Sequence, residues 1–264
     1  MTERLAAYVR KGTGAGDNKL MKKEKARLGL GVSLAFVVLL VLPYVKPEID
    51  GSLREKWGTA ATVDSGRIQN TIHNNSNGDK IRYVALSYDD GPNPIYTEQL
   101  LEVLEKENVR ASFFMMGKQV EAYPKLVKKV AEGGHLIGNH TYSHVNVCQL
   151  PETRVREEIQ KTNELIFDAC GQSPEWFRPP FGCNREKLIA TLDMYQIFWN
   201  VDPLDWSVQN TGTIVNHVLK YVSDGDIILM HDAYPTTVEA TKILIPKLRA
   251  MGYSFVTVDE MIQP

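Results

Sequence analysis

The sequence predicts an α/β protein, a closed or nearly closed (β/α) barrel of about seven parallel strands, preceded by a single N-terminal transmembrane helix and a linker. Three observations predict it. Seven short apolar runs alternate with six longer amphipathic ones between residues 80 and 264. The first of these strands ends in Asp89-Asp90-Gly91-Pro92, where an open dinucleotide-binding sheet would carry a glycine-rich turn. An uncharged run at residues 28–45 follows a strongly basic segment.

The N-terminal part comes first in the chain. Residues 1–29 hold eight basic side chains against three acidic ones, a net +5, which leaves −7 of the total −2 on the rest. The overall balance gives no basic excess for nucleic acid. The run LGLGVSLAFVVLLVLPYV that follows has no polar face, so it does not suit a core helix. Its 18 residues, at ~1.5 Å each, span about 27 Å, close to a bilayer core. The expected organisation is a basic cytoplasmic tail at 1–27, a transmembrane anchor at 28–45, a flexible polar linker at 46–79 and a globular domain at 80–264. Lysine and arginine before the apolar run place the C-terminal bulk on the far side of the membrane. The localisation that follows is single-pass at the cell membrane with the domain extracytoplasmic. The alternative is a secreted protein whose 28–45 run belongs to a cleaved signal.

Strands are expected at 81–88, 111–117, 135–140, 175–179, 196–201, 226–231 and 253–258. Helices are expected at 96–107, 118–132, 151–169, 185–195, 211–222 and 236–251. The 151–169 segment shows the pattern most clearly, with Val155, Ile159, Thr162 and Ile166 on one stripe. Pro246 should kink or split the last helix, and Gly252 is a plausible stop. Alternating strands and helices build right-handed βαβ units. A doubly wound open sheet is the other arrangement that this pattern allows. Cys148, Cys170 and Cys183 would give one disulfide and one free thiol in an oxidising compartment, and the sequence leaves the pairing open.

In a parallel α/β domain, ligands meet the carboxyl ends of the strands. Asp89 and Asp90 end the first strand, and His140 and His144 follow the third. Arg178 sits at the fourth, Asp202 and Asp205 follow the fifth, and His231 and Asp232 end the sixth. One carboxylate and two imidazoles suit Zn²⁺, Co²⁺, Ni²⁺ or Fe²⁺ with positions left for water and substrate. We read Asp90, His140 and His144 as that set. Two adjacent carboxylates repel, and a metal on one leaves the other to serve as a base. Asp232 reads as a structural cap, and His73, His135 and His217 have no partner pattern.

Five ordered motifs carry a resemblance over about residues 80–264: SYDDGP (87–92), HTYSH (140–144), RPPFG (178–182), DPLDW (202–206) and LMH (229–231). The sequence resembles the polysaccharide deacetylase family, the NodB-homology domain of carbohydrate esterase family 4. The resemblance implies a distorted (β/α) barrel and metal-dependent removal of acetyl groups from a sugar polymer. It implies Asp89 as general base, one divalent ion (zinc, with cobalt or nickel as alternatives) on Asp90, His140 and His144, and Arg178 orienting Asp89. It implies His231 as general acid tuned by Asp205, the Phe181 N–H at the oxyanion, and Trp206 and Leu229 around the acetyl methyl. Asp202 is the alternative to Asp205. Ser87-Tyr88 stands where Thr-Phe is more frequent, and Phe181 where Tyr is commoner.

The expected partner is an acetylated glycan polymer, with peptidoglycan favoured because an anchored outward domain reaches the wall. Chitooligosaccharide or O-acetyl xylan would serve the same chemistry. A metal oxygenase on the same ligand set would leave His231 and Arg178 without purpose. A non-catalytic wall-binding module would tolerate loss of Asp89.

Overall fold

The computed structural model describes residues 81–262. The basic tail, the 28–45 run and the 46–79 segment, on which the anchor and linker expectations fall, lie outside the described residues. Among the described residues no helix is long and apolar enough to cross a membrane.

In chain order the elements are β1 (Arg82–Asp89), α1 (Tyr96–Lys106), β2 (Ser112–Met115), α2 (Gly117–Ala122), α3 (Pro124–Glu132), β3 (Leu136–Asn139), α4 (Glu152–Cys170), β4 (Trp176–Phe177), α5 (Glu186–Ala190), β5 (Tyr195–Gln196), α6 (Asp205–Val208), α7 (Thr211–Tyr221), β6 (Asp226–His231), α8 (Pro235–Ala250), β7 (Tyr253–Phe255) and α9 (Val258–Ile262). All strand pairs are parallel, in the order β5-β4-β3-β2-β1-β6. β7 pairs with Arg82–Val84 at the start of β1. Val84 meets β6 on one side and β7 on the other, so β7 shares with β2 the second edge of β1.

The sheet curls into a half-barrel. Its two ends approach where the chain beyond β5 crosses to β6. There Val201 bridges Ile228, and the Leu229 N–H donates to the Val201 carbonyl at 2.9 Å. This single bridge, instead of a full ladder, is what distorts the barrel. β1 is buried on both faces from Val84 to Asp89, as a central parallel strand should be.

Helices cover the outside with the stripes their periodicity demands. α4 buries Val155, Ile159, Thr162 and Ile166, as expected. α1 buries Thr97, Leu100, Val103 and Leu104, with Leu101 only partly covered. Full burial of each such aliphatic side chain contributes about 1.5–3 kcal/mol, so these stripes hold the helices to the sheet.

Two strands shorten, the expected 175–179 to Trp176–Phe177 and 196–201 to Tyr195–Gln196, and three helix expectations change. The segment 118–132 is two helices, because Tyr123 adopts φ −132°, ψ 52° ahead of Pro124, which starts α3 at its first position. The segment 185–195 shortens to α5. α8 runs on through Pro246 without splitting. Pro246 and Lys242, whose carbonyl loses its backbone donor there, are both exposed, so water can take over that hydrogen bond. Gly252 ends α8 with φ +84°, a conformation that suits only glycine readily.

Candidate active site

The strand register brings the first chemical pair together. Asp89 is the register partner of His231, and Ser87 of Leu229, on neighbouring parallel strands. Residues paired in this way leave the same face of the sheet. Arg178, at the end of β4, crosses beneath them. It is fully buried, and its Nη1 donates to Asp89 Oδ1 at 2.8 Å and to Ser87 Oγ at 2.9 Å, while Nη2 donates to the Phe198 carbonyl at 3.2 Å. Its guanidinium also lies 4.0 Å from the centre of the Phe114 ring. A buried cation with a fixed fork holds one carboxylate oxygen of Asp89 and leaves the other directed elsewhere. That second oxygen, Oδ2, lies 3.8 Å from His140 Nε2.

Asp90 turns away from the strand with φ +76°. The turn separates the two carboxylates and aims Asp90 Oδ1 at His140 Nε2, 3.5 Å away, and His144 Nε2, 3.4 Å away. Oδ1 is buried and has no hydrogen-bond partner. Zinc bonds of about 2.0–2.2 Å at tetrahedral angles would hold ligand atoms about 3.4 Å apart. The orphaned oxygen and its spacing from two imidazole nitrogens therefore fit a divalent ion, and among the described residues this is the one group of its kind.

The surroundings prepare the histidines for that role. His140 Nδ1–H donates to the Arg178 carbonyl at 2.7 Å, which turns the Nε2 lone pair towards Asp90. Burial lowers the His140 pKa, against the raising charges of Asp89 and Asp90, and this favours the neutral imidazole that binds metals. Asn139, fully buried, donates to the Ile159 carbonyl at 2.9 Å and to Asn163 Oδ1 at 2.6 Å, and accepts from Thr141 N–H at 2.8 Å. It thereby pins the turn between the two histidines. Asp90, Thr141, His144 and Phe181 all have positive φ. Such strained positions cluster where the surroundings over-determine the backbone.

Opposite the histidines, His231 Nδ1–H donates to Asp205 Oδ1 at 2.7 Å. Asp205 also accepts from the backbone N–H of His231 and of Trp206 and from the Thr237 hydroxyl. Burial alone would depress His231, but the Asp205 hydrogen bond and charge, with Asp89 and Asp90 adding, push it up to about 9. Asp202 instead accepts from the Leu204 N–H, so Asp205 is the partner of His231.

Phe181 projects from a short turn between Pro180 and Gly182, two-thirds exposed, with its ring against His144 at 4.8 Å. Leu229 is buried on the His231 face of β6, and Trp206 is half exposed in the first turn of α6. Asp232 corrects an expectation. It does not cap α8, whose first turn has no side-chain cap. Its buried carboxyl accepts from the Thr97 hydroxyl instead, packed under Gly91. His135 accepts from the Ala111 N–H and His217 packs on Tyr221, so neither joins the metal-ligand group, while His73 lies outside the described residues. The parts played by Asn139, Ser87 and Thr237 were not expected from the sequence. Ser87 lies inside a motif and Asn139 beside one, while Thr237 carries no such signal.

A family model described as polysaccharide deacetylase matches residues 76–197. The peptidoglycan-N-acetylglucosamine deacetylase of Bacillus cereus is 38% identical over 187 residues, covering 68% of this chain and 68% of that protein. The chain belongs to the polysaccharide deacetylase family. The structure of peptidoglycan deacetylase PdaC from Bacillus subtilis agrees, at TM-score 0.66 and 36% identity, over 69% of this family member and 90% of that chain. The peptidoglycan-N-acetylglucosamine deacetylase PgdA of Listeria monocytogenes is 37% identical over 178 residues, 67% of this chain. This family member spans only 38% of that protein's length.

Proposed function

We propose that the chain is a metal-dependent hydrolase that removes N-acetyl groups from a cell-wall polysaccharide, with N-acetylglucosamine residues of peptidoglycan as substrate. The observation that carries this reading is the pairing of Asp90 with His140 and His144, while Asp89 stays outside that set, tied to Arg178, and His231 stands across from it. The names of the similar proteins favour the same substrate.

Bound by Asp90, His140 and His144, a divalent ion would polarise the acetyl carbonyl and acidify a water. Asp89 Oδ2, left free by the Arg178 fork, takes the proton of the attacking water. Arg178 keeps Asp89 aimed. The Phe181 N–H donates to the negative charge that develops on the acetyl oxygen, a contribution of about 3 kcal/mol for one such donor. His231, held protonated by Asp205 at neutral pH, delivers its proton to the departing nitrogen. Leu229 and Trp206 wall the acetyl methyl. The products are acetate and a free amino sugar.

The 28–45 run serves, in the same proposal, as a single-pass anchor with the enzyme facing the wall. Protease accessibility in intact cells against lysed cells tests it, and a chain protected until lysis contradicts it.

The test of the reaction is acetate release by the full chain from peptidoglycan, chitooligosaccharide and O-acetyl xylan, with Asp89→Asn beside it. Acetate and new free amine from peptidoglycan, lost in the variant, support the reading. Release from xylan alone would move the substrate to an ester, and equal release by the variant would reject Asp89 as the base.

A further inference from the structure

We propose that the Cys148–Cys183 disulfide is a positioning device that clamps the loop carrying His144 to the loop carrying Phe181 and so sets the mouth of the site. The bond joins positions 35 residues apart, with the two Cα atoms 5.9 Å from each other. Cys148 stands four residues beyond His144, and Cys183 two residues beyond Phe181. Both of those residues hold left-handed backbone, His144 at φ 56° and Phe181 at φ 62°. A residue with a Cβ keeps such a conformation only when its surroundings enforce it.

The two loops need that restraint because few other ties cross between them beyond His140. The rings of His144 and Phe181 touch at 4.8 Å, and Arg185 Nη1 donates to the Val147 carbonyl at 3.0 Å and the Leu150 carbonyl at 3.4 Å. The clamp is seated at one end. Cys183 is 8% exposed and packs in a core cluster with Val147, Phe177, Leu188 and Ile189. Cys148 at the other end is exposed, so the bond is open to a reductant. One crosslink thus fixes an imidazole of the ligand set and a backbone donor of the reaction against each other. Cys170, the free thiol, bonds within its own helix to the Ile166 carbonyl and takes no part.

The inference rests on the deacetylase reading for its activity arm alone. The experiment compares the full chain with Cys148→Ser/Cys183→Ser, well below the melting temperature of both. It measures kcat and KM on chitooligosaccharide, the zinc dissociation constant by chelator competition, and amide hydrogen exchange. The clamp predicts a kcat at least tenfold lower with KM within twofold, zinc bound at least fivefold more weakly, and faster exchange confined to residues 141–150 and 178–185. Reversible reduction of the parent by a phosphine, followed by reoxidation, must reproduce and then undo these changes, and it decides the matter if the double variant does not fold. A kcat and a zinc constant within twofold of the parent, in protein shown to lack the bond, overturn the proposal however far the melting temperature falls. If the oxidised parent releases no acetate from chitooligosaccharide or from peptidoglycan, the deacetylase reading fails by itself, and zinc affinity and exchange still decide the clamp.

Discussion

Arg178 has no exposed surface, and its charge faces a single carboxylate, Asp89, with which it forms a buried pair at 2.8 Å. A buried pair of this kind is costly to break, by about 3–5 kcal/mol when one partner is removed, so its presence at a strand end speaks for a task beyond stability. Asp89→Asn keeps the shape and removes the proposed base. Its kcat should fall about 10²- to 10⁴-fold while zinc binding is retained, as read by acetate release and by metal content. His231 supplies a second expectation. Its pKa of about 9 keeps it protonated at neutral pH, so it gives kcat/KM an alkaline limb. Asp205→Asn removes the partner that raises it and leaves the burial that lowers it, so the limb moves to lower pH in the pH profile. The same raised pKa stabilises the fold below about 6.5, the ordinary histidine value, and that stabilisation is lost as pH climbs through about 9. At this scale the sequence was legible where function-bearing side chains stood at strand ends: Asp90, His140 and His144 could be grouped before any coordinates. It was not legible for Asn139 and Ser87, which are hidden inside apolar runs and act by hydrogen bonds to backbone or to Arg178. Nor could spacing choose Asp205 over Asp202, because which of the two faces His231 depends on how α6 starts.

Elements place these residues through close packing at their ends. Gly91 lies where β1 leaves the sheet, and a Cβ there would come within 2.0 Å of Asp232 Oδ2 and 2.5 Å of its Cγ. That carboxyl is fully buried and tied to Thr97, so it cannot step aside. Gly91→Ala should therefore destabilise the fold by about 1–3 kcal/mol and displace Asp90, measured as a lower melting temperature together with weaker zinc binding. Normal zinc affinity in this variant would contradict the role given to the contact. Pro246 offers the opposite sign. It interrupts the hydrogen bonding of α8 on an exposed face. Pro246→Ala should restore a donor to the Lys242 carbonyl and raise stability by up to about 3 kcal/mol, visible in thermal unfolding with acetate release unchanged. The stripe of α4 was readable in full, because 3.6-residue periodicity survives packing. The break at Tyr123 and the two-residue length of β4 and β5 were not, because they depend on how a barrel seam meets its neighbours.

At the scale of the whole molecule, side chains from the ends of β1, β3, β4 and β6 and from the α6 turn meet on one rim. The parallel sheet is what makes this possible, since every strand delivers its carboxyl end to the same side. The sequence carried that convergence, because polar residues punctuate five of the seven apolar runs at or just beyond their C-terminal ends. It carried the curl into a barrel but not the seam, where the sheet's ends meet by the single Val201–Ile228 bridge. The central claim is that one ion held by Asp90, His140 and His144 works beside a free Asp89. The most direct test is to strip the full chain with a chelator and titrate zinc back while following acetate release from peptidoglycan and from chitooligosaccharide. The account expects activity to vanish on stripping and to return in proportion to zinc, levelling at one equivalent per chain. Acetate release that survives complete removal of metal, or that never returns at one equivalent, would contradict it.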